Sequence, residues 1–237
     1  MSSIEFIPRP QSGRTFSNHR KIRLADTGPN GLLRVDGAAR FLQDVATDDW
    51  EDSGIDPGST WVVRRTALRV ALDGRWPRLS ETIEVTTWCG GYGAAWAERR
   101  TDFSIDGATL IEAAALWVPI NRQGKPQRVS SNFLAVYGEA CDGRKVPGRI
   151  PTPELPTTAE VRPWTLRQSD LDIVGHVNNA ALWAPVVEAS PEPLTFATLT
   201  HHGSVEASDE VVWASAENEM WLVVNGDVRV TAVYESR

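Results

Sequence analysis

One arrangement of predicted elements occurs twice in this chain of 237 residues. Each time, a helix with an apolar face is accompanied by a run of strands. In the first half the predicted helix covers residues 37–52, with Asp36 as its cap, and the strands cover 19–26, 60–72, 81–89, 94–105 and 109–121. In the second half the predicted helix covers 177–188, and the strands cover 161–166, 194–203, 210–216, 219–224 and 228–235. The repeat predicts an α+β fold made of two tandem copies of one unit, each an antiparallel sheet wrapped around a helix.

The stretch between the two copies has the composition of a linker. Residues 141–156 contain four prolines and two glycines, which interrupt regular structure. We therefore expect an N-terminal unit at residues 1–140, a linker at 141–156 and a C-terminal unit at 157–237. Within the second unit, Asn225-Gly226 predicts a tight hairpin between the last two strands.

The main group of chemically useful side chains lies at the start of the second predicted helix. Asp172 and His176 are four residues apart there, and Asn178 and Asn179 follow. The first turn of a helix has unpaired backbone N–H groups and the positive end of the helix dipole. Such a helix start is suited to holding a carbonyl oxygen as negative charge develops on it. The alternative is a capping aspartate and a surface histidine in an ordinary loop.

The sequence around this group resembles that of the plant and bacterial acyl-(acyl carrier protein) thioesterase family. The shared pattern is D-x-x-x-H-V-N-N, with Glu188 twelve residues after the histidine. Further matching segments run along residues 15–236 and include Leu42-Gln43-Asp44, Trp61-Val62-Val63 and Trp117-Val118. One position departs from the family, because the active-site Asn of its D-x-N-x-H pattern is Val174 here.

The resemblance implies a fold, an activity and a set of residues. Each unit would be a hotdog fold, and the two units would pair as an intramolecular pseudo-dimer. The activity would be hydrolysis of fatty acyl thioesters carried on acyl carrier protein, which releases free fatty acid in fatty acid biosynthesis and needs no cofactor. The first unit would supply the acyl-binding walls. The residues implied for catalysis are Asp172, His176 and Glu206, and those implied for substrate binding are Val174, Asn178, Asn179, Gln43, Asp44 and Trp61.

The assignment of Glu206 depends on the local backbone. The family has its acidic residue four positions before an Asp-x-Val turn, whereas Glu206 stands three positions before Asp209. Because side chains alternate across a strand, a slip of one residue would turn Glu206 to the opposite face unless a bulge restores it. Pro185 is a second local question, since a proline in the middle of the predicted helix should kink it.

Charge restricts the partners. The net charge of −7 argues against binding to nucleic acid. An acidic carrier protein would need a local basic patch, and the candidates for carrier docking are Arg64, Arg65, Arg99 and Arg100. A solvated strand face is the alternative explanation of these charges.

Several classes of site and location are disfavoured. His201 and His202 are adjacent on a predicted strand and must face opposite sides, so we expect no metal site. No apolar run has the length of a membrane span, and the N-terminus lacks a secretory signal, which predicts a cytoplasmic protein without a membrane partner. The ten tryptophans predict bulky buried walls. Acyl chain length and the formation of a homodimer are left open.

Two other functions compete with the leading one. A thioesterase for coenzyme A substrates would use the same chemistry with a different carrier. A catalytically weakened acyl-binding protein is the second alternative, and Val174 is the argument for it, because the change from Asn removes a hydrogen-bond donor.

Overall fold

A computed structural model describes residues 4–55, 60–190 and 192–236, and in these residues ten strands form one antiparallel sheet. The strands are β1 (Thr15–Lys21), β2 (Thr60–Val70), β3 (Thr82–Tyr92), β4 (Ala97–Ile105), β5 (Ala108–Ile120), β6 (Glu160–Trp164), β7 (Leu194–His201), β8 (Val211–Ala216), β9 (Glu219–Val224) and β10 (Asp227–Ser236). The α-helices are α1 (Val35–Ser53), α2 (Ser131–Tyr137) and α3 (Ala184–Ala189).

The strand order shows that the sheet consists of two equivalent halves. It runs β1-β3-β4-β5-β2-β7-β10-β9-β8-β6. Strand β6 corresponds to β1, β7 to β2, and so on up to β10 and β5. With this correspondence, the strand order read inward from one edge of the sheet is the same as the order read inward from the other edge. The halves join where β2 pairs with β7, for example Arg65 opposite Thr200. The two α+β units and their tandem hotdog arrangement are therefore confirmed.

Helix α1 packs on the first half of the sheet because one of its faces is apolar. Phe41, Leu42 and Val45 are buried on that face, at the spacing that lines up side chains on one side of a helix. The helix ends at Gly54, whose φ of 66° is a left-handed conformation that glycine adopts without steric cost.

The predicted helix at 37–52 is confirmed, with a correction to its cap. The helix begins at Val35, so Arg34 occupies the cap position. The side chain of Asp36 lies one residue inside the helix, where it accepts hydrogen bonds from the guanidinium groups of Arg34 and Arg40.

The second predicted helix is much shorter than expected. A 3-10 turn at Ala181–Trp183 leads into α3, so the expected start at residue 177 is wrong. Asn178 explains the delay, because its Oδ1 accepts the N–H of Ala180 at 2.8 Å and its carbonyl accepts the N–H of Ala181 at 2.9 Å. Pro185 stands in the first turn of α3, where its missing N–H has no helical partner to lose. Pro185 therefore stands at the start of a helix and does not interrupt the middle of one, so the reason for expecting a kink does not apply.

Two features of the first half differ from the predicted pattern. The first strand covers Thr15–Lys21 instead of 19–26, and a 3-10 turn follows at Leu24–Asp26. Helix α2 was not predicted. It begins after Ser130, whose hydroxyl accepts the N–H of Phe133 at 3.1 Å and so caps the helix.

The two halves share one hydrophobic core. A single cluster of buried side chains contains residues of α1 and of β7 to β10. The indole N–H of Trp76, in the first half, donates to the carbonyl of Leu194, in the second, at 2.7 Å. Among the described residues, no helix is both long enough and apolar enough to cross a bilayer.

Candidate active site

Asp172 lies in a tight loop instead of a helical turn. Its N–H donates to the carbonyl of His176 at 2.8 Å, and the N–H of Gly175 donates to the carbonyl of Asp172 at 3.1 Å. The side-chain Oδ1 of Asp172 accepts the N–H groups of Val174 at 3.0 Å and His176 at 3.1 Å. These bonds fix the carboxylate in one orientation. Its second oxygen, Oδ2, accepts no hydrogen bond from the described residues.

His176 and Glu206 meet beside this loop. Their backbones form an isolated bridge, and His176 Nε2 lies 3.2 Å from Glu206 Oε1. Glu206 is held by its own N–H, which donates to Asp209 Oδ2 at 2.7 Å, and by the hydroxyl of Ser204, which donates to Oε1 at 2.8 Å. The strand β8 begins only at Val211. Because Glu206 lies in a turn before that strand, strand alternation does not decide its orientation.

A cavity of about 740 Å³, which we call the chamber, opens at the loop. Asp172, Asn178 and Asn179 line the side nearest the loop, and most of the remaining wall comes from the first half of the molecule. The volume is in the range of small-molecule sites.

Aromatic rings line the part of the chamber toward the C-terminal end of α1. Trp50 and Trp61 have ring centroids 6.3 Å apart, Trp61 and Phe133 4.9 Å, and Phe133 and Tyr137 4.7 Å. The expectation that tryptophans form walls agrees with this arrangement. Such a wall suits an apolar chain.

A charged network lies behind the aromatic wall. Asp49 is 1% exposed, and its carboxylate accepts from Arg14 Nε at 2.8 Å, Arg99 Nη1 at 2.6 Å and the Tyr137 hydroxyl at 2.9 Å. Arg99 also lines the chamber. Burial and the charge of Asp49 raise the pKa of Tyr137, although the positive charge of Arg99 opposes them. Tyr137 therefore remains a hydrogen-bond donor to the carboxylate.

The structure separates the expected substrate-binding residues into two groups. Gln43, Trp61, Asn178 and Asn179 line the chamber. Asp44 does not: it is exposed and lies 3.8 Å from Arg20, because the next residue along a helix points about 100° away from its neighbour. Two further positions lie outside the chamber lining. Val174 is 66% exposed at the tip of the loop, and Glu188 is exposed on α3.

Two of the four arginines expected to dock a carrier are placed inside the protein. Arg100 is 2% exposed and is bound to Glu98, so its guanidinium cannot reach a partner. Arg99 points to the chamber side, toward Asp49. These two expectations are wrong, because adjacent strand residues face opposite sides, and here one side is a buried ion pair and the other is the chamber. Arg64 and Arg65 are half-buried, and Arg64 lines a separate cavity of about 300 Å³ with His202.

The expected oxyanion donors are also mostly occupied. The N–H of Val177 donates to Val205 at 2.8 Å, and that of Asn178 donates to Asp170 at 2.7 Å. Within the described residues, the N–H of Asn179 has no such partner. Asn179, which lines the chamber, therefore has one unpaired backbone donor among the described residues, beside the side-chain amides of Asn178 and Asn179.

His201 and His202 face opposite sides of β7 as expected. His201 is buried, and burial, with the nearby positive charge of Arg64, lowers its pKa to about 3. His202 accepts or donates a hydrogen bond with the hydroxyl of Thr231 at 3.0 Å. In residues 4–55, 60–190 and 192–236, no group of three or more His, Cys, Asp or Glu side chains is arranged to hold a metal ion.

Sequence reasoning missed the network around Asp49. A signal was present, because Asp49 falls four residues after buried Val45 on the apolar face of α1. A carboxylate in that position must find cations or donors, since an unpaired buried charge is strongly unfavourable. The partners come from places distant in sequence, Arg14, Arg99 and Tyr137, which no local pattern connects to it.

Comparison with known proteins gives a consistent result. The family model for the acyl-ACP thioesterase N-terminal domain matches residues 13–137, more than half of the chain. An uncharacterized protein of Mycobacterium tuberculosis is 24% identical over an alignment of 243 residues. The alignment covers 97% of this chain and 95% of that protein. The chloroplastic oleoyl-acyl carrier protein thioesterase of Coriandrum sativum is 24% identical over 212 residues, which cover 78% of this chain and 56% of the plant protein.

Solved structures show the same fold. The 12:0-ACP thioesterase from Umbellularia californica superposes with a TM-score of 0.79 at 22% identity, over 94% of this chain and 97% of that one. An acyl-ACP thioesterase from Bacteroides thetaiotaomicron gives a TM-score of 0.79 at 20% identity, over 93% and 98% of the two chains. At these identities the likeness establishes the architecture alone.

Proposed function

The chain belongs to the acyl-ACP thioesterase family, and from that premise we propose that it hydrolyses fatty acyl thioesters carried on acyl carrier protein. Family membership makes it a thioester hydrolase, whereas the carrier and the roles of individual residues are the proposal. The observation that supports these roles best is the position of Asp172, a fixed carboxylate at the opening of a chamber of about 740 Å³.

In the proposed reaction, water attacks the thioester carbonyl and the C–S bond breaks. The products are a free fatty acid and the thiol of the carrier. Asp172 acts as the general base and takes a proton from the attacking water through Oδ2, while Oδ1 stays bound to backbone N–H groups. The N–H of Asn179 and the amides of Asn178 and Asn179 stabilise the oxyanion.

His176 and Glu206 are assigned to the leaving group. Neither residue is part of the chamber lining, and both lie beside the loop that carries Asp172, so in this proposal they face the thiol side of the thioester. Glu206 holds the imidazole of His176 in place, with Nε2 and Oε1 3.2 Å apart, and His176 gives a proton to the departing thiolate. A thiol with an ordinary pKa of about 8–9 needs little such help, so this step contributes less than the attack.

The two units divide the work in this proposal. The N-terminal unit, residues 1–140, holds the acyl chain, and the C-terminal unit, residues 157–237, carries the reacting groups. Gln43 and Trp61 belong to the acyl-binding wall. No metal or organic cofactor takes part in any of these steps.

A single-turnover assay tests the activity. Free fatty acid should be released from acyl-carrier protein at an enzyme-like rate, and more efficiently than from the same acyl group on coenzyme A. Release from coenzyme A alone would move the substrate to the coenzyme A class. Tight binding of the acyl-carrier protein without release would support the weakened binding protein that Val174 suggests.

Carrier docking has a separate test. Arg64 and Arg65 remain the candidates, and an acidic partner would lose affinity for them as salt screens the charges. The KM for carrier-bound substrate should rise with salt and with the double change Arg64→Gln and Arg65→Gln, while the KM for a short pantetheine thioester stays constant. Arg162→Gln, at the outer edge strand β6, is the matched control. Equal salt responses of the two substrates would contradict docking through these residues.

A further inference from the structure

The chamber contains a cationic side chain that an unsubstituted hydrocarbon chain would not match. Arg99 lines it, with 15% of its side chain exposed, together with the aromatic Trp50, Trp61 and Phe133 and with the polar Thr47 and Glu98. Burial of hydrogen-bond donors against a hydrocarbon, without an acceptor, is unfavourable. The presence of Arg99 therefore bears on which acyl groups the chamber accepts.

Most of the donors of Arg99 remain free. A guanidinium has five N–H donors. Nη1 donates to Asp49 Oδ2 at 2.6 Å and lies 3.2 Å from Thr87 Oγ1. Within the described residues, Nε and Nη2 of Arg99 have no acceptor. These atoms can bind an acceptor that a ligand brings into the chamber.

The guanidinium is held rigidly and its charge is balanced. Asp49, its partner, is also bound by Arg14 and by the hydroxyl of Tyr137. Arg14 in turn pairs with Asp52 at 2.7 Å, so two carboxylates face two guanidinium groups. A neutral acceptor, a hydroxyl or a carbonyl oxygen, fits such a balanced group without adding an uncompensated charge.

Asp49, the partner of Arg99, lies further along α1 than Gln43 does. Gln43, which lines the chamber with Asp172 and Asn179, precedes Asp49 by six residues on α1. At 1.5 Å per residue, that separation is about 9 Å along the helix axis. Arg99, which binds Asp49, also shares a smaller cavity with Gln43 and Asn179, so an oxygen that it binds would lie in the acyl chain between the thioester and the aromatic wall.

We propose that Arg99 is a specificity-determining residue that selects acyl chains carrying a hydroxyl or oxo group. This inference rests on the proposed function, because it assumes that the chamber receives the acyl chain. It names the class of acyl group that the proposed hydrolase takes.

The test measures binding, so that it does not depend on turnover. The ligands are pantetheine ketones in which a methylene replaces the thioester sulfur, with a saturated chain of one length, either unsubstituted or with one hydroxyl at successive carbons. Calorimetry with the full-length protein should show at least one hydroxylated ligand binding about tenfold tighter than the unsubstituted one, as expected for a hydrogen bond to a charged group.

Two variants assign the preference to Arg99. Arg99→Lys keeps a positive partner for Asp49 but loses the spare donors, so the preference should fall to about threefold or less. Arg14→Lys weakens the same ion pair from outside the chamber and should leave the preference unchanged. Wild-type protein that binds the unsubstituted ligand as tightly as every hydroxylated one overturns the inference, as does an equal loss in both variants.

Failure of the proposed function would look different. Selective binding of hydroxylated ketones with no hydrolysis of the matching thioesters would contradict the hydrolase and leave the role of Arg99 intact. Rapid hydrolysis with no preference among the ketones would contradict only the role of Arg99. The wild-type measurement decides the matter even where a variant folds poorly.

Discussion

The loop at residues 28–35 and the loop at 172–179 have the same backbone and different chemistry. Leu171 and Val177 form a bridge 144 residues after the equivalent bridge of Thr27 and Leu33. The N–H of Gly28 donates to the carbonyl of Leu32 at 2.9 Å, as that of Asp172 does to His176 at 2.8 Å.

The fourth residue of each loop is a glycine with a similar backbone conformation. Gly31 and Gly175 have φ values of 72° and 83°, a region that side chains disfavour. Each donates its N–H to the carbonyl three residues before it. The turn is thus a property of the repeated unit and does not depend on catalysis.

The side chains on this shared turn differ at the positions that carry Asp172 and His176 in the second loop. Asp172 is matched by Gly28 and His176 by Leu32, and the bridge partner Glu206 is matched by Arg78. The first loop therefore has no carboxylate or imidazole to offer. The comparison teaches that the repeat supplies the same turn twice, whereas of the two loops the second alone carries a carboxylate and an imidazole.

The largest expected effect tests this asymmetry directly. Asp172→Asn should lower thioester hydrolysis by about 100-fold or more, because the amide oxygen can still accept the loop N–H groups but cannot remove a proton. The melting temperature should change little. Asn30→Ala, in the first loop, is the control and should leave turnover unchanged. A fully active Asp172→Asn protein would place the base elsewhere, with Glu206 next in line.

The two halves of the sheet also differ in which charged residues are paired across neighbouring strands. In the first half, Asp102 on β4 faces Glu112 on β5, whereas the β9–β10 pairs place no two acidic residues opposite. Burial, and then the charge of Glu112, raise the pKa of Asp102 to about 6. The folded state therefore holds a proton that the unfolded state has lost between about pH 4 and pH 6.

A stability measurement checks this difference. The free energy of unfolding should fall as pH rises through that window, because the unfolded state binds fewer protons there than the folded state does. Asp102→Asn should remove the fall and stabilise the protein at pH 7 by about 2 kcal/mol. Urea unfolding at several pH values measures both. An identical pH dependence in wild type and variant would contradict the assigned pKa.

The third test concerns His176 and Glu206, whose backbones form the isolated bridge. Glu206→Gln should lower hydrolysis by about tenfold, because the neutral amide holds the imidazole of His176 less firmly in the position from which it serves the leaving group. Arg78→Gln, at the matching bridge of the first half, should have no effect on the rate. The rates are compared at fixed pH with an acyl-pantetheine substrate, so that carrier docking does not enter. Equal rates for wild type and Glu206→Gln would leave His176 without its assigned partner.

The smallest expected effect uses the first loop as a template for the second. Asn30 Oδ1 accepts the N–H of Leu32 at 3.0 Å, so the shared turn accommodates an Asn where the second loop has Val174. Val174→Asn should raise turnover about threefold, because its amide can take over the N–H of His176 from Asp172 and add a donor near the loop. Val174→Ala should give no gain. A slower Asn variant would mean that the site works around Asp172 and His176 without the family's Asn.

The sequence by itself determined the repeat of the α+β unit, most of the strands and the loop that carries Asp172 and His176. Alternating and helical patterns are local, so they placed α1 and most strands within a few residues. Asn225-Gly226 connects β9 to β10 with φ values of 52° and 85°, as the tight hairpin requires. The D-x-x-x-H-V-N-N pattern located the loop that carries Asp172. The late start of the second helix was missed, because a side-chain bond from Asn178 competes with the helical bond there.

The tertiary structure alone decided which side chains meet. Glu206 reaches His176 through a turn whose direction strand alternation could not give. Asp49 collects Arg14, Arg99 and Tyr137 from three distant parts of the chain. The placement of Arg99 in the chamber and Arg100 in a buried pair was likewise not visible in two adjacent basic residues. Local patterns fix the direction of a side chain relative to its own helix or strand, whereas burial and partners depend on which surfaces the folded chain brings against it.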